Sequence, residues 1–341
     1  MTDIAVESSA STEQLPRTKT DWLPLLLVPA LALIALPFVG SGSTWVTLTV
    51  AGLAMGMMIF LMASGLTLVF GLMDIINFGH GVFISLGAYA SLLVLGPLGG
   101  WVQADSIWLN LGLLLLCILA AMGFTAVVGA VFERVIVRPV YGSHLKQILV
   151  TMGGLIVAEQ AIHAIWGASP IAIPLPATLR GAFIIGDVVM ERYRVVAVGI
   201  GLFVFLGMQL LLNRTRLGLL IRAGVENPEM VEALGYRIRR LFVSVFVAGS
   251  ALAGLGGVMW AFYRQTLTAG MGMDVMVLVF IVIIIGGLGS VGGCFVGSIL
   301  VALVANYVGF VEPKLALISN ILVMALVLIW RPQGLFPVAR R

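Results

Sequence analysis

The chain has 341 residues, of which 61% are hydrophobic and 10% charged, with 19 Lys and Arg against 15 Asp and Glu for a formal net charge of +4. Soluble domains carry about 25% charged residues, so this composition, with a mean hydropathy of +1.14, excludes a water-soluble globule and predicts an all-α polytopic membrane protein in contact with lipid. No nucleic-acid partner is expected.

Residues 1–22 are polar and Ser/Thr-rich and are expected to form a disordered cytoplasmic tail. Apolar runs follow at 23–39, 46–70, 82–95, 107–132, 147–166, 195–212, 241–263, 275–285, 292–310 and 315–330. About 20 residues cross a bilayer, so these runs predict about ten transmembrane or partly re-entrant helices over residues 23–330, followed by a short cytoplasmic tail over 331–341. The runs at 82–95 and 275–285 are short, which makes eight full spans with two partial ones the competing count. The first run is longer than the 7 to 15 apolar residues of a signal peptide and is read as a span.

Residues 65–91, GLTLVFGLMDIINFGHGVFISLGAYAS, interrupt an apolar stretch with glycines, Asp74, Asn77 and His80. Non-helical backbone at membrane depth survives only where protein or a wet cavity satisfies it. Polar groups there mark a transport path by default. Asp74, Asn77, His80 and Gly81 are therefore path candidates, with Gly79 and Gly81 holding the backbone away from regular helix. An ordinary turn at the membrane surface, with Asn77 capping a helix that starts near Phe78, is the competing reading.

Further along, Cys117 and Cys294 lie inside apolar runs without metal or redox spacing and read as packing. Glu159 and His163 stand four residues apart and share a helix face. Three roles fit them: an intramembrane hydrogen bond, a lining of the path, or a proton relay. Gly52 and Gly56, Gly249 and Ala253, and Gly293 and Gly297 have the four-residue spacing of close helix contacts, at a subunit interface or inside the bundle.

Basic residues accumulate in the loops 133–146 and 214–240 and near both termini. Ten spans place all of these in the cytoplasm. The loop 167–194 then faces outward despite Arg180, Arg192 and Arg194. In the second basic loop, Asn227 suits an N-cap, Pro228 the first helical position, Glu229 and Glu232 the positive end of the helix dipole, and Gly235 the stop. A helix of about two turns is too short to persist alone in water, and Met230, Val231 and Leu234 offer it a small apolar face. Residues 217–223 are expected to form a second short helix. The two open roles are packing on the protein's own helix ends and docking of a cytoplasmic partner.

A phosphate-binding P-loop needs Gly-Lys followed by Ser or Thr. Lys19, Lys146 and Lys314 follow Thr, Leu and Pro instead, so the chain is not expected to hydrolyse ATP or to bind a cofactor or metal of its own. No aqueous segment leaves room for a soluble catalytic domain.

Taken together, the NFGHG core with the following GAYAS, the ERVIVRP at 133–139, the NPEMVEALGYRIRRLFVSVFVAGSALAGLGG at 227–257 and the GGLGSVGGCFVG at 286–297 resemble the LivH-type permease subunits of branched-chain amino acid ABC transporters. The resemblance spans most of the chain after about Gly52. It implies a type II ABC importer-like permease in the bacterial inner membrane with both termini cytoplasmic. The implied partners are a periplasmic binding protein, a second LivM-type permease, and two ATPase subunits that bring ATP and Mg. Glu232, Ala233 and Gly235 resemble the coupling loop of importer permeases, which implies ATPase contact by Asn227, Glu229, Met230, Glu232, Ala233, Leu234, Gly235 and Tyr236. Branched-chain amino acids are the implied cargo; urea, amides or other amino acids are alternatives within the family, and a self-sufficient secondary transporter or channel lies outside it. Gly79 departs from the family's usual alanine, and the polar head is longer than expected.

Overall fold

The structure is a computed structural model that describes residues 23–337, so the expected head over 1–22 lies outside the described residues. It is predominantly helical. The helices are α1 (Leu23–Val39), α2 (Gly42–Met73), α3 (His80–Ala90), α4 (Leu92–Leu95), α5 (Gly99–Gln103), α6 (Ile107–Phe132), α7 (His144–Trp166), α8 (Arg192–Arg214), α9 (Arg216–Glu226), α10 (Pro228–Ala233), α11 (Ile238–Arg264), α12 (Met271–Gly286), α13 (Val291–Val311) and α14 (Ala316–Trp330). Among the described residues, six helical stretches are long and apolar enough to cross a membrane, namely α2, α6 with its continuation to Val140, α7, α8, α11 and α13; α1, α3 with α4, α12 and the last helix are shorter.

The centre is α2, a run of 32 residues with neither proline nor charge, which packs on α11 and α13. Small residues set these contacts. A Cβ on Gly52 would press on Leu303, one on Gly56 would sit 3.0 Å from the Ile299 backbone, and one on Gly297 3.0 Å from the Val282 carbonyl. The glycine spacing in these helices therefore serves the inside of the bundle.

Only two non-glycine residues among those described have a positive φ, Asp74 (51°) and Gln265 (53°), and they end α2 and α11. Each starts a matching break. Residues 74–79 and 265–270 both finish on a glycine N-cap, Gly79 (φ −67°, ψ −2°) and Gly270 (φ −78°, ψ −2°), from which a short helix leaves. The turn bonds also match: His80 N donates to Asn77 O (3.3 Å) as Met271 N does to Thr268 O (3.2 Å), and Val82 N to Gly79 O (3.0 Å) as Met273 N does to Gly270 O (2.9 Å). The second residues of the two short helices, Gly81 and Gly272, touch each other. In the parent helices Gly65 meets Gly249 while Met62 meets Gly256, so α2 and α11 run antiparallel. The core is thus two interlocked helix–break–helix units of opposite direction, an arrangement known from membrane transporters.

Strands occupy one end. β1 (Ile171–Ala172) pairs with β4 (Thr266–Leu267), and β2 (Ala182–Ile185) forms a hairpin with β3 (Val188–Glu191). Here the three arginines that run against the charge pattern make local bonds: Arg180 Nε donates to Leu175 O (2.6 Å), Arg192 to Thr178 O (3.3 Å), and Arg194 pairs with Glu191 at 2.8 Å. At the other end lie α9 and α10. The C-terminal segment closes α12, with Leu335 N and Phe336 N donating to Ile285 O (2.8 Å) and Gly286 O (3.0 Å).

Candidate functional site

The first break does not leave the bundle. His80 Nε2 lies 2.9 Å from Met62 O, and Met62 stands eleven residues before the end of α2, about 16 Å of helical rise. Residues 74–79 therefore run back alongside α2 before α3 begins. Aspartate and asparagine are among the few non-glycine residues that enter the left-handed region without large cost, which suits Asp74 to the reversal.

Asp74, at the outer edge of the break, is half exposed and 3.8 Å from His144. Asn77 is buried, and neither atom of its side-chain amide has a hydrogen-bond partner among the described residues. The cap by Asn77 that the competing reading called for is not formed: α3 starts at His80, and its N-cap is Gly79 without a side-chain bond. The reason is steric, since the break must turn inward before it can coil. His80 is buried, its ring held against α2 and edge-on to Phe83. Gly81 is glycine because a Cβ would meet Gly272 backbone at 3.2 Å.

Glu159 and His163 do not join this cluster. They sit further along α7, Nε2 to Oε1 at 4.0 Å with both side chains about one third exposed (32%), and a Cβ on Gly270 would lie 3.3 Å from Glu159 Oε1. They therefore belong to the second break. One helix links the two loci: His144, Gln147, Thr151, Glu159 and His163 fall at three- or four-residue spacing along one face of α7, with Leu155 between them. Thr151 is the pivot of the inner half, accepting from Phe78 N (3.2 Å) and donating to Gln147 O (2.7 Å). Gln147 is buried with an unpartnered Oε1.

Two features escaped the sequence reading. Glu133 is buried and opens a π-helical turn, Glu133–Val137, at the end of α6, where it accepts a hydrogen bond from the Tyr141 hydroxyl. Burial and that bond push the Tyr141 hydroxyl above its ordinary value. Phe132 fills the space beside Gly79 and Gly154, so this turn abuts the first break.

At the α9–α10 end, the Asn227 side chain accepts from Met230 N (2.9 Å). After α10, Tyr236 N donates to Val231 O (3.2 Å) and Gly235 N to Glu232 O (2.9 Å), with Gly235 at φ +86°; these are the paired bonds of a Schellman stop. The expected apolar face is split. Val231 is buried, lining a cleft of about 360 Å³ with Leu217, Leu220 and Leu241, whereas Met230, Leu234 and Tyr236 are exposed. At 100° per residue Met230 and Leu234 lie close together on the helix circumference and Val231 turns away. Among the described residues, no three His, Cys, Asp or Glu side chains gather as a metal site.

The sequence profile of the branched-chain amino acid transport system permease component family matches residues 48–330. The high-affinity branched-chain amino acid transport system permease protein BraD of Pseudomonas aeruginosa is 28% identical over 295 residues, covering 84% of this chain and 94% of that protein. The corresponding LivH of Salmonella typhimurium is 25% identical over 297 residues, covering 83% and 92%. A probable branched-chain amino acid transport permease protein LivM of Methanocaldococcus jannaschii is 23% identical over 321 residues, covering 82% and 90%. No solved structure matches the chain. With the profile spanning most of its length and its apolar helices marking a multi-pass membrane protein, the chain belongs to the family of branched-chain amino acid transport permease components.

Proposed function

We infer that this chain is the permease half of an ATP-driven importer for branched-chain amino acids or related small polar solutes. The observation that carries the reading is the pair of interlocked breaks, joined by the polar ridge of α7, in a chain without a P-loop. Broken helices are where transporters place their solutes. In this reading the six long and four shorter apolar helices cross the bacterial inner membrane as ten spans, with both termini and the α9–α10 end in the cytoplasm. Asp74, Asn77, His80 and Gly81 form the inner locus of the path, and Glu159 and His163 the outer one. A periplasmic binding protein delivers solute, and a second LivM-type permease, supported by the similarity to a LivM protein, completes the pore.

Energy enters through two ATPase subunits with ATP and Mg. Met230, Leu234 and Tyr236, exposed on and just after a six-residue helix, supply the contact, while Asn227, Glu229, Glu232, Ala233 and Gly235 shape the helix that presents it. The test is reconstitution of the chain in vesicles, alone and with its partners, followed by uptake of radiolabelled leucine. Uptake is expected only with ATP, receptor and all subunits; gradient-driven uptake by the lone chain would sink the reading.

A further inference from the structure

We propose that the cleft between α9, α10 and α11 binds an anionic phospholipid of the surrounding bilayer, with Arg237 and Arg240 holding the phosphate and one acyl chain running along α11. The proposal goes beyond the importer reading and needs only that the chain spans a membrane, so either can fail without the other.

The cleft measures about 360 Å³, within the span of about 300–1,000 Å³ usual for small-molecule sites. Its floor is apolar: Val231 and Ile238 are buried, and Leu220 and Leu241 are half-buried. Its mouth is open, since Leu217 and Tyr236 are exposed. Arg237 and Arg240 complete the lining, and both are exposed. No acid answers them: the first turn of α11 holds none, and among the described residues neither arginine forms an ion pair.

The polarity of the cleft has a direction. At 100° per residue Arg237, Arg240, Leu241, Ser244 and Ala248 fall on one stripe of α11, with Arg239 on the opposite side. The arginines begin this stripe, and Ser244 follows seven residues after Arg237, about 10 Å of rise along the helix. Ser244 and Ala248 are small and exposed, so a shallow track continues from the cleft along a helix long and apolar enough to cross the membrane. Charge first and apolar surface after it is the order in which a lipid presents its headgroup and chain. Guanidinium groups match phosphate oxygens through paired N–H donors, and basic pockets at the ends of membrane helices recognise lipid headgroups. A purely apolar occupant would leave both arginines uncompensated, whereas free phosphate would leave the apolar floor uncovered.

The experiment uses the full chain purified in detergent, with dioleoyl phosphatidylglycerol or dioleoyl phosphatidylcholine added in equal amounts and bound lipid counted by native mass spectrometry. The parent is expected to retain the anionic lipid at least tenfold more than the neutral one; equal retention overturns the proposal. Each arginine beside an anionic membrane surface is worth about fivefold, so Arg237→Gln combined with Arg240→Gln should lower phosphatidylglycerol retention at least tenfold. Arg214→Gln combined with Arg216→Gln removes the same charge from residues outside the cleft lining and should stay within twofold of the parent. An equal loss in the two pairs shows diffuse attraction and overturns the site. Ser244→Trp keeps both arginines but blocks the chain track, so it should also lower retention at least tenfold, and it carries the test should the Arg237 and Arg240 pair fail to fold. Excess glycerol phosphate should displace no lipid. Unchanged retention by Ser244→Trp, or displacement by glycerol phosphate, overturns the lipid assignment in favour of a bare anion site.

Discussion

Gly65 and Gly249 lie backbone against backbone: a Cβ built on Gly249 would come 2.7 Å from the Gly65 carbonyl oxygen, and one built on Gly65 would overlap the Gly249 carbonyl. No side chain fits between α2 and α11 at this crossing. Gly249→Ala is expected to cost about 1–3 kcal/mol through forced separation of the helices. Gly123→Ala, on α6 where no atom approaches a built Cβ, should be neutral or slightly stabilising. Thermal unfolding of the two purified variants checks the contrast, and equal midpoints would refute it.

Asn77 gives a test of opposite sign. Its amide is buried without a partner among the described residues, and an unsatisfied buried polar group costs about 1–3 kcal/mol. Asn77→Leu is expected to keep or raise the midpoint of unfolding while lowering transport. A fall in stability with full transport would make Asn77 a structural residue.

How far the sequence reveals this site depends on how local the chemistry is. The break at 74–79 and the helix at Pro228–Ala233 stand out because glycine placement, an N-cap and a Schellman glycine act within a few residues. The second break does not stand out. DIINFGHG at 74–81 and QTLTAGMG at 265–272 share only their two glycines, so the repeat exists in backbone geometry and not in side chains. The ridge on α7 needed a helical register to bring His144, Gln147 and Thr151 into line with Glu159 and His163. The inward turn that denies Asn77 its capping role comes from tertiary packing, as does the π-helical turn at Glu133.

On α10 the split face separates the proposed ATPase contact from the residue that packs on the protein itself. Met230→Asp and Leu234→Asp, both at exposed positions, are expected to leave membrane insertion intact and abolish co-purification of the ATPase. Val231→Ala should keep the partner but lower stability by about 2 kcal/mol, because Val231 is buried where it lines the cleft between α9 and α11. Gly235→Pro should also release the ATPase, since proline cannot adopt φ +86° and loses the bond to Glu232. Pull-down with the tagged ATPase tests all four; retention by both aspartate variants would remove α10 from the interface.

Tyr141→Phe removes the hydroxyl that donates to buried Glu133 and should cost about 1.5–3 kcal/mol, the usual worth of a hydrogen bond to a charged group. The pH dependence of this cost follows from the raised value of Tyr141. A group raised in the folded state contributes fully below its unfolded value, about 10 for tyrosine, and loses the contribution only above it. The stability difference between parent and variant should therefore be flat between about pH 6 and 9; a decline within that window would contradict the assignment.

Ser85 donates to Ala269 O (2.9 Å) and accepts from Gly272 N (3.0 Å), so one hydroxyl on α3 ties down both sides of the opposite break. Neither break can be loosened by itself. Drawing α3 away from α12 ruptures both bonds in one movement and parts the Gly81–Gly272 contact with them, after which close-packed backbone offers few resting places short of a new fit. Under the transport role proposed above, this coupling biases the chain toward two end positions with a sharp passage between them.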